Sequence, residues 1–153
     1  MAPETSLVPL ELLRQTLAGK RLPGAELEIP GYENTIATRA LRSEVSEQEF
    51  AHSIWFIVCS LRGMGISVNE LCDLAHAGPH DTLLYGEVGI EQELPLRVGA
   101  WYRVDAVITD VGRSTLRDGS TLDKVTVRVE LLCDGVRHGT VTSTYLFKRG
   151  EPR

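Results

Sequence analysis

Cationic excess is missing from this 153-residue chain, in which 16 lysines and arginines stand against 21 aspartates and glutamates for a formal net charge of -5. A nucleic-acid partner would need a basic face to neutralise phosphates, so none is expected. A basic amphipathic helix for a membrane surface is missing as well. Only three cysteines occur, Cys59, Cys72 and Cys133. An odd, scattered set makes no disulfide framework and reads as reduced thiols in a cytoplasmic protein, with Cys59 serving as a small hydrophobe. The opening residues, MAPETSLVPLELLRQ, carry Glu4 and are broken by Pro3 and Pro9, so they lack the basic-then-apolar order of a secretion signal. No repeat, low-complexity tract or long linker divides the chain. With 42% hydrophobic residues, it is long enough to bury about 70% of its unfolded surface in one core without a covalent staple.

Against these absences stands one segment with almost no polar face. Glu47 to Arg62 reads EQEFAHSIWFIVCSLR, and on a 3.6-residue wheel Phe50, Ala51, Ile54, Trp55, Phe56, Ile57, Val58, Cys59 and Leu61 leave no continuous polar stripe. The pattern predicts a buried helix over about 47–62, with Ile54, Ile57, Val58 and Leu61 all enclosed. At 1.5 Å per residue it is roughly 24 Å long, too short to span a bilayer comfortably, so protein must surround it. Beyond Thr82 the chain reads as strand. The fold class is therefore α+β, an antiparallel sheet wrapped around a central apolar helix, which is the hot-dog fold.

The remaining elements arrange themselves around that helix. Leu10, Leu12, Leu13 and Leu17 recur at roughly helical spacing between Pro9 and Gly19, giving a short outer helix in an N-terminal arm of residues 1–22, ahead of a single hot-dog domain over 23–153. Asn34 to Arg42 is expected as a first strand after the bend at Pro30 and Gly31. Ser46-Glu47-Gln48-Glu49 has the capping-box pattern, in which a serine and a glutamate three positions on satisfy the free N–H groups of a helix start. Ser67-Val68-Asn69-Glu70 repeats it for a second helix that stops at Gly78-Pro79. Strands are expected over Leu83 to Leu94, Ala100 to Val111, Lys124 to Cys133 and Val136 to Lys148, with Tyr102, Val104, Ala106 and Ile108 facing the helix. Asp134-Gly135 signals a tight hairpin. The outer strand of such a sheet has unpaired backbone groups, so a dimer is expected.

Residues 83–114, LLYGEVGIEQELPLRVGAWYRVDAVITDVGRS, resemble the strand, PLR-x-G turn and strand of MaoC-like dehydratases, especially their N-terminal dehydratase-like subgroup. With the apolar helix and the closing hairpin, the resemblance extends over roughly residues 23–149. It implies a hot-dog protomer that dimerises, as a homodimer or as a heterodimer with another MaoC-like subunit. It also implies a cleft between protomers for an acyl-CoA or acyl carrier protein thioester. The activity implied is (R)-specific hydration of an enoyl thioester or the reverse dehydration, with no cofactor. A hot-dog acyl-CoA thioesterase and a non-catalytic acyl-binding or scaffolding subunit are the alternatives.

Adding water to a 2-enoyl thioester needs a base for the water, an acid for the alpha carbon, and N–H donors for the thioester oxygen. The family supplies acid and base from an Asp-x-Asn-Pro-x-His tract near the central helix, and this chain has no such tract. Near that place stands Glu49-Phe50-Ala51-His52, whose i, i+3 spacing on a helix would put a carboxylate and an imidazole on one face. His52 matches the family's histidine, and histidine ordinarily titrates near neutral pH. A packed or solvent-facing role explains His52 as well, and the capping box explains Glu49. In the thioesterase reading Glu49 activates water instead.

Gly63 and Gly65 either let backbone approach a thioester or end the helix. Tyr85 and Trp101 either line an acyl tunnel or pack. Arg97, Arg103, Lys148 and Arg149 either meet coenzyme A phosphates or lie on solvated faces. Cys72, His76 and His80 are spaced like metal ligands, but Gly78-Pro79 should end the helix before His80 is aligned, so no metal is expected. Ser53 and Ser60 lack a Gly-x-Ser-x-Gly elbow, and Pro79-His80-Asp81 is typical of a polar loop.

Overall fold

A computed structural model describes residues 7–46 and 49–150. In chain order the elements are α1 (Leu10–Leu17), β1 (Ala25–Glu28), α2 (Gly31–Ala40), α3 (Ile54–Arg62), α4 (Val68–Leu74), β2 (Thr82–Gln92), β3 (Trp101–Thr115), β4 (Thr121–Cys133) and β5 (Val136–Lys148). The strands make one antiparallel sheet in the order β1-β3-β4-β5-β2. Helix α3 packs on β3, β4 and β5. This is the hot-dog arrangement expected from the pattern of the sequence.

Alternation sets the inner face. Tyr102, Val104, Ala106 and Ile108 on β3 and Val125, Val127, Val129 and Leu131 on β4 are all buried, as period-two side chains on one covered face must be. Between β4 and β5 the turn residues Asp134 and Gly135 both have positive φ, 49° and 77°, the primed geometry whose twist matches the strands. Two glycines let the helix sit close to the sheet. A Cβ on Gly139 of β5 would strike the Phe56 ring, and one on Gly63 would lie 2.6 Å from both the Cys59 carbonyl oxygen and Val104 Cβ.

Three expectations are corrected. Residues 34–42 do not form a strand, because Pro30 and Gly31 open helix α2 instead, and the edge strand beside β3 is Ala25–Glu28. Alternation is absent from Asn34–Leu41, and only the polar pair Asn34 and Thr38, one helical turn apart, is buried there. The central helix starts at Ile54, seven residues later than its apolar pattern predicts. The backbone before it is taken by the PLR-x-G turn: Ala51 N–H donates to the Leu96 carbonyl (2.8 Å) and Val98 N–H to the Glu49 carbonyl (2.8 Å). Glu49 itself has φ 60°, outside the helical region. The expected capping box at Ser46–Glu49 falls partly on residues 47–48, which lie outside the described residues.

Finally, the enclosed face of α3 is Trp55, Phe56, Cys59 and Ser60, whereas Ile54, Ile57 and Val58 are half-buried and Leu61 is 39% exposed. One sheet covers one face of a helix, and the apolar remainder is left open.

Helix α4 begins at the expected capping box, with Glu70 N–H donating to Ser67 Oγ (3.0 Å). It ends before Gly78, because His76 takes a left-handed conformation (φ 56°). Its neighbours close the C-terminus with Ala77 N–H to the Cys72 carbonyl and His76 N–H to the Asp73 carbonyl.

A buried ion network joins the segment before α1, the turn after α4 and the residues that follow β5. Asp123, fully buried, receives Arg113 (2.6 Å) and Arg149 (2.8 Å), and Arg149 also bonds Asp81 (2.9 Å) and the Ala75 carbonyl (2.7 Å). Arg113 reaches back to the Val8 carbonyl. Among the described residues no helix is long and apolar enough to cross a membrane.

Candidate functional site

The ring of His52 is held on both sides. Half-buried just ahead of α3, it accepts the Ile54 backbone N–H at Nδ1 (3.0 Å), while Nε2 lies 3.2 Å from Ser43 Oγ. Ile54 is the first residue of the helix, so its N–H has no intrahelical acceptor, and His52 does for it what a capping side chain does. That bond selects the tautomer: with Nδ1 as acceptor, the neutral imidazole carries its proton on Nε2 and presents a donor. The main chain of His52 is fixed too, its N–H donating to Oδ1 of the buried Asn34 (3.0 Å), which also accepts from Thr38 (3.4 Å). No carboxylate among the described residues is bonded to the ring.

Asn34 and Ser43 are the site residues that the sequence does not reveal. The helical spacing of Asn34 and Thr38 is the available signal, and a strand assignment over 34–42 hides it.

The other candidates do not converge on this ring. Glu49 is exposed and precedes α3, so the helical i, i+3 spacing that would place it beside His52 does not apply. Gly63 has its open side filled by Cys59 and Val104, and Gly65 (φ 85°) lies against Gly24 and Pro23. Tyr85 is on β2 and Trp101 at the start of β3, with β4 and β5 between those strands. The Tyr85 hydroxyl is 2.8 Å from Ser143 Oγ, and its ring meets Tyr145 edge-on at 5.3 Å. Burial, and after it the neighbouring Tyr85, pushes the Tyr145 phenol up to about 12. Burial likewise raises the Cys59 thiol to about 11 against the pull of Arg62, so it stays protonated. Trp101 is 61% exposed.

The cations considered for phosphates are mostly engaged. Arg149 is buried in the ion network, Arg103 pairs with Asp105, Lys148 pairs with Asp118, and Arg97 lies over the Phe50 ring. No group of three His, Cys, Asp or Glu able to hold a metal occurs among the described residues.

Several large apolar side chains remain exposed. Leu84, Tyr85 and Ile90 of β2 and Leu61 of α3 are each about two-fifths exposed or more. A separate groove of about 540 Å³ lies between Lys20–Pro23 and α4, with Lys20 and Arg21 on one wall and Glu70 and Asp73 on the other. None of the candidate residues lines it. His52 lies outside that groove.

No protein-family model and no curated protein matches the sequence. Solved structures do. The chain is similar to a chain of the C-terminally truncated HadBC (3R-hydroxyacyl-ACP dehydratase) complex from Mycobacterium tuberculosis, at 15% identity and TM-score 0.63, covering 85% of this chain and 96% of that one. It is also similar to the MaoC-like dehydratase from Rhodospirillum rubrum, at 13% identity and TM-score 0.60, covering 92% and 98%. A variant of the fluoroacetyl-CoA-specific thioesterase FlK, in complex with fluoroacetate and CoA, matches at 13% identity and TM-score 0.60, covering 85% and 93%. At these identities the likeness is one of fold, and the fold is shared by dehydratases and thioesterases.

Proposed function

We propose that this chain is an acyl-thioester-binding hot-dog protomer that forms one half of a hydratase or dehydratase acting on coenzyme A or acyl carrier protein thioesters. The observation that carries this reading is the fixed ring of His52. Because Nδ1 is occupied by the Ile54 N–H, the neutral ring has a donor at Nε2 and no lone pair there; in the single protomer that donor faces Ser43 Oγ at 3.2 Å, a contact the substrate oxygen would replace. Such a donor suits the charge that develops on a thioester oxygen. It does not suit the deprotonation of water. That step calls for a carboxylate, and Glu49 is exposed and not bonded to the ring. A second protomer, bearing the Asp-x-Asn-Pro-x-His tract that this chain lacks, supplies the base across the dimer. Tyr85, exposed on β2 with its ring against Tyr145, is assigned to the rim of the acyl cleft.

The fold shared with a two-component 3R-hydroxyacyl-ACP dehydratase supports the reading. The fold shared with a thioesterase in complex with CoA supports the alternative, in which Glu49 activates water for hydrolysis. The two are separated in one reaction by following loss of enoyl absorbance and release of free thiol together. The chain is assayed alone and with a MaoC-like protein bearing the intact tract. Enoyl loss in the mixture, beyond that of the partner alone and without thiol release, is expected. Thiol release by the chain alone would overturn the assignment in favour of hydrolysis.

A further inference from the structure

Backbone donors around His52 are already committed. Of the N–H groups that open α3, Ile54 donates to His52 Nδ1 (3.0 Å), Trp55 to the His52 carbonyl (3.0 Å) and Phe56 to the Ser53 carbonyl (3.1 Å). Ahead of the helix, Ala51 N–H is held by the Leu96 carbonyl (2.8 Å) and His52 N–H by Asn34 Oδ1 (3.0 Å). None of these five is left for an oxyanion at Nε2, although a helix start is where orphan N–H groups ordinarily stand.

One hydroxyl lies beside that nitrogen. Ser43 Oγ is 3.2 Å from Nε2, and Ser43 is exposed. With Nε2 carrying the ring proton, Oγ is the acceptor of this contact, and the serine's own O–H has no acceptor among the described residues. Its place is set by the end of α2. Ser43 N–H donates to the Thr38 carbonyl (3.0 Å) and Arg42 N–H to the Arg39 carbonyl (3.0 Å), with Arg42 left-handed (φ 56°), the paired bonds of a Schellman closure. The same helix holds the His52 main chain through the buried Asn34. Helix α2 thus fixes the hydroxyl and the ring relative to each other.

We infer that Ser43 is a second catalytic donor, whose hydroxyl joins His52 Nε2–H on the thioester oxygen as negative charge develops there. An oxygen about 3 Å from both atoms completes a triangle whose third side is the 3.2 Å contact. On its arrival the imidazole N–H bond is redirected from Oγ to the substrate oxygen. Ser43, no longer an acceptor, gives its own O–H to the same oxygen, and both hydrogens stay on their heavy atoms. One neutral hydrogen bond is exchanged for two to a charged acceptor, each about twice as strong. The inference rests on the proposed role of His52.

The test is steady-state hydration of 2-butenoyl-CoA by the complex of this chain with a MaoC-like protomer bearing the intact tract. The unaltered chain is compared with Ser43→Ala, Ser43→Thr and His52→Ala, and nitrogen-15 NMR follows the His52 ring in the chain alone. Ser43→Ala should lower kcat about 10²-fold, as the loss of one oxyanion donor does, with KM changed by no more than about 3-fold. Ser43→Thr, which keeps the hydroxyl at an exposed position, should recover to within about 10-fold of the unaltered chain. The ring in Ser43→Ala should stay protonated at Nε2, because the Ile54 bond selects the tautomer without help from the serine.

A ring that moves its proton to Nδ1 in Ser43→Ala would make the serine a positioning residue and overturn the inference. A threonine variant as slow as the alanine one would do the same. So would a complex that loses activity with His52→Ala yet is indifferent to Ser43→Ala, an outcome that leaves the role of His52 standing. Indifference to both substitutions, or a complex without activity, would overturn the role of His52 and the inference with it.

Discussion

At His52 a single backbone N–H decides what the imidazole can do. Nitrogen-15 NMR of the chain near pH 8 should show the neutral ring protonated at Nε2, with Nδ1 as the acceptor of the Ile54 bond. A ring protonated at Nδ1 would put a base at Nε2 and contradict the donor role.

Asp123 is the other residue whose surroundings define its role. Burial pushes its carboxyl up, but the Arg113 and Arg149 guanidiniums outweigh this and hold it below the ordinary 3.8. A folded-state value below the unfolded one gives stability that is present above about pH 4 and lost as pH falls through the folded value. Asp123→Asn leaves two guanidiniums without their shared carboxylate, so it should cost about 3–5 kcal/mol in denaturant unfolding at pH 7. The variant should also lose less stability than the parent on acidification below about pH 4. Neither Asp123 nor Arg149 announces this pairing in the sequence, because the partners lie 26 residues apart in chain order and meet only once β4 and β5 are side by side.

On the scale of elements, the apolar run around Ile54–Arg62 is legible because its length and composition admit nothing but a covered helix. Its start and its covered face are not. Residues 49–51 fit a helical pattern, yet Leu96 and Val98, more than forty positions away, claim their backbone, and tertiary pairing of that kind leaves no local mark. The face is hidden because Leu61 and Phe56 are equally apolar, and only the position of Gly139 and Gly63 says which one meets the sheet.

The energetic consequences differ accordingly. Phe56→Ala should cost about 3–5 kcal/mol through lost contacts and a cavity, whereas Leu61→Ala in the isolated protomer should cost about 1 kcal/mol or less, as surface substitutions do. Gly63→Ala, which drives a methyl into Cys59 and Val104, should cost about 1–3 kcal/mol. Urea titrations of the three variants check the order. A Leu61→Ala loss matching that of Phe56→Ala would mean the open face is covered within the single chain.

For the whole molecule, alternation in four strands and one apolar helix are enough to reach the hot-dog fold, since each signal is local and all agree. The site is only partly legible, and for a physical reason: in the proposed assembly the missing side chains belong to another chain, and no pattern within one chain records the side chains of another.

The most direct measurement of the composite site is the rate of 2-enoyl-CoA hydration by the complex of this chain with a MaoC-like protomer bearing the intact tract, compared with the same complex carrying His52→Ala. The account predicts that the chain alone is inactive and that the substitution lowers turnover of the complex by about 10²–10³-fold, the usual loss on removing one donor to a developing oxyanion, with the complex still formed. Hydration by the unaltered chain alone, or a complex indifferent to His52→Ala, would contradict it.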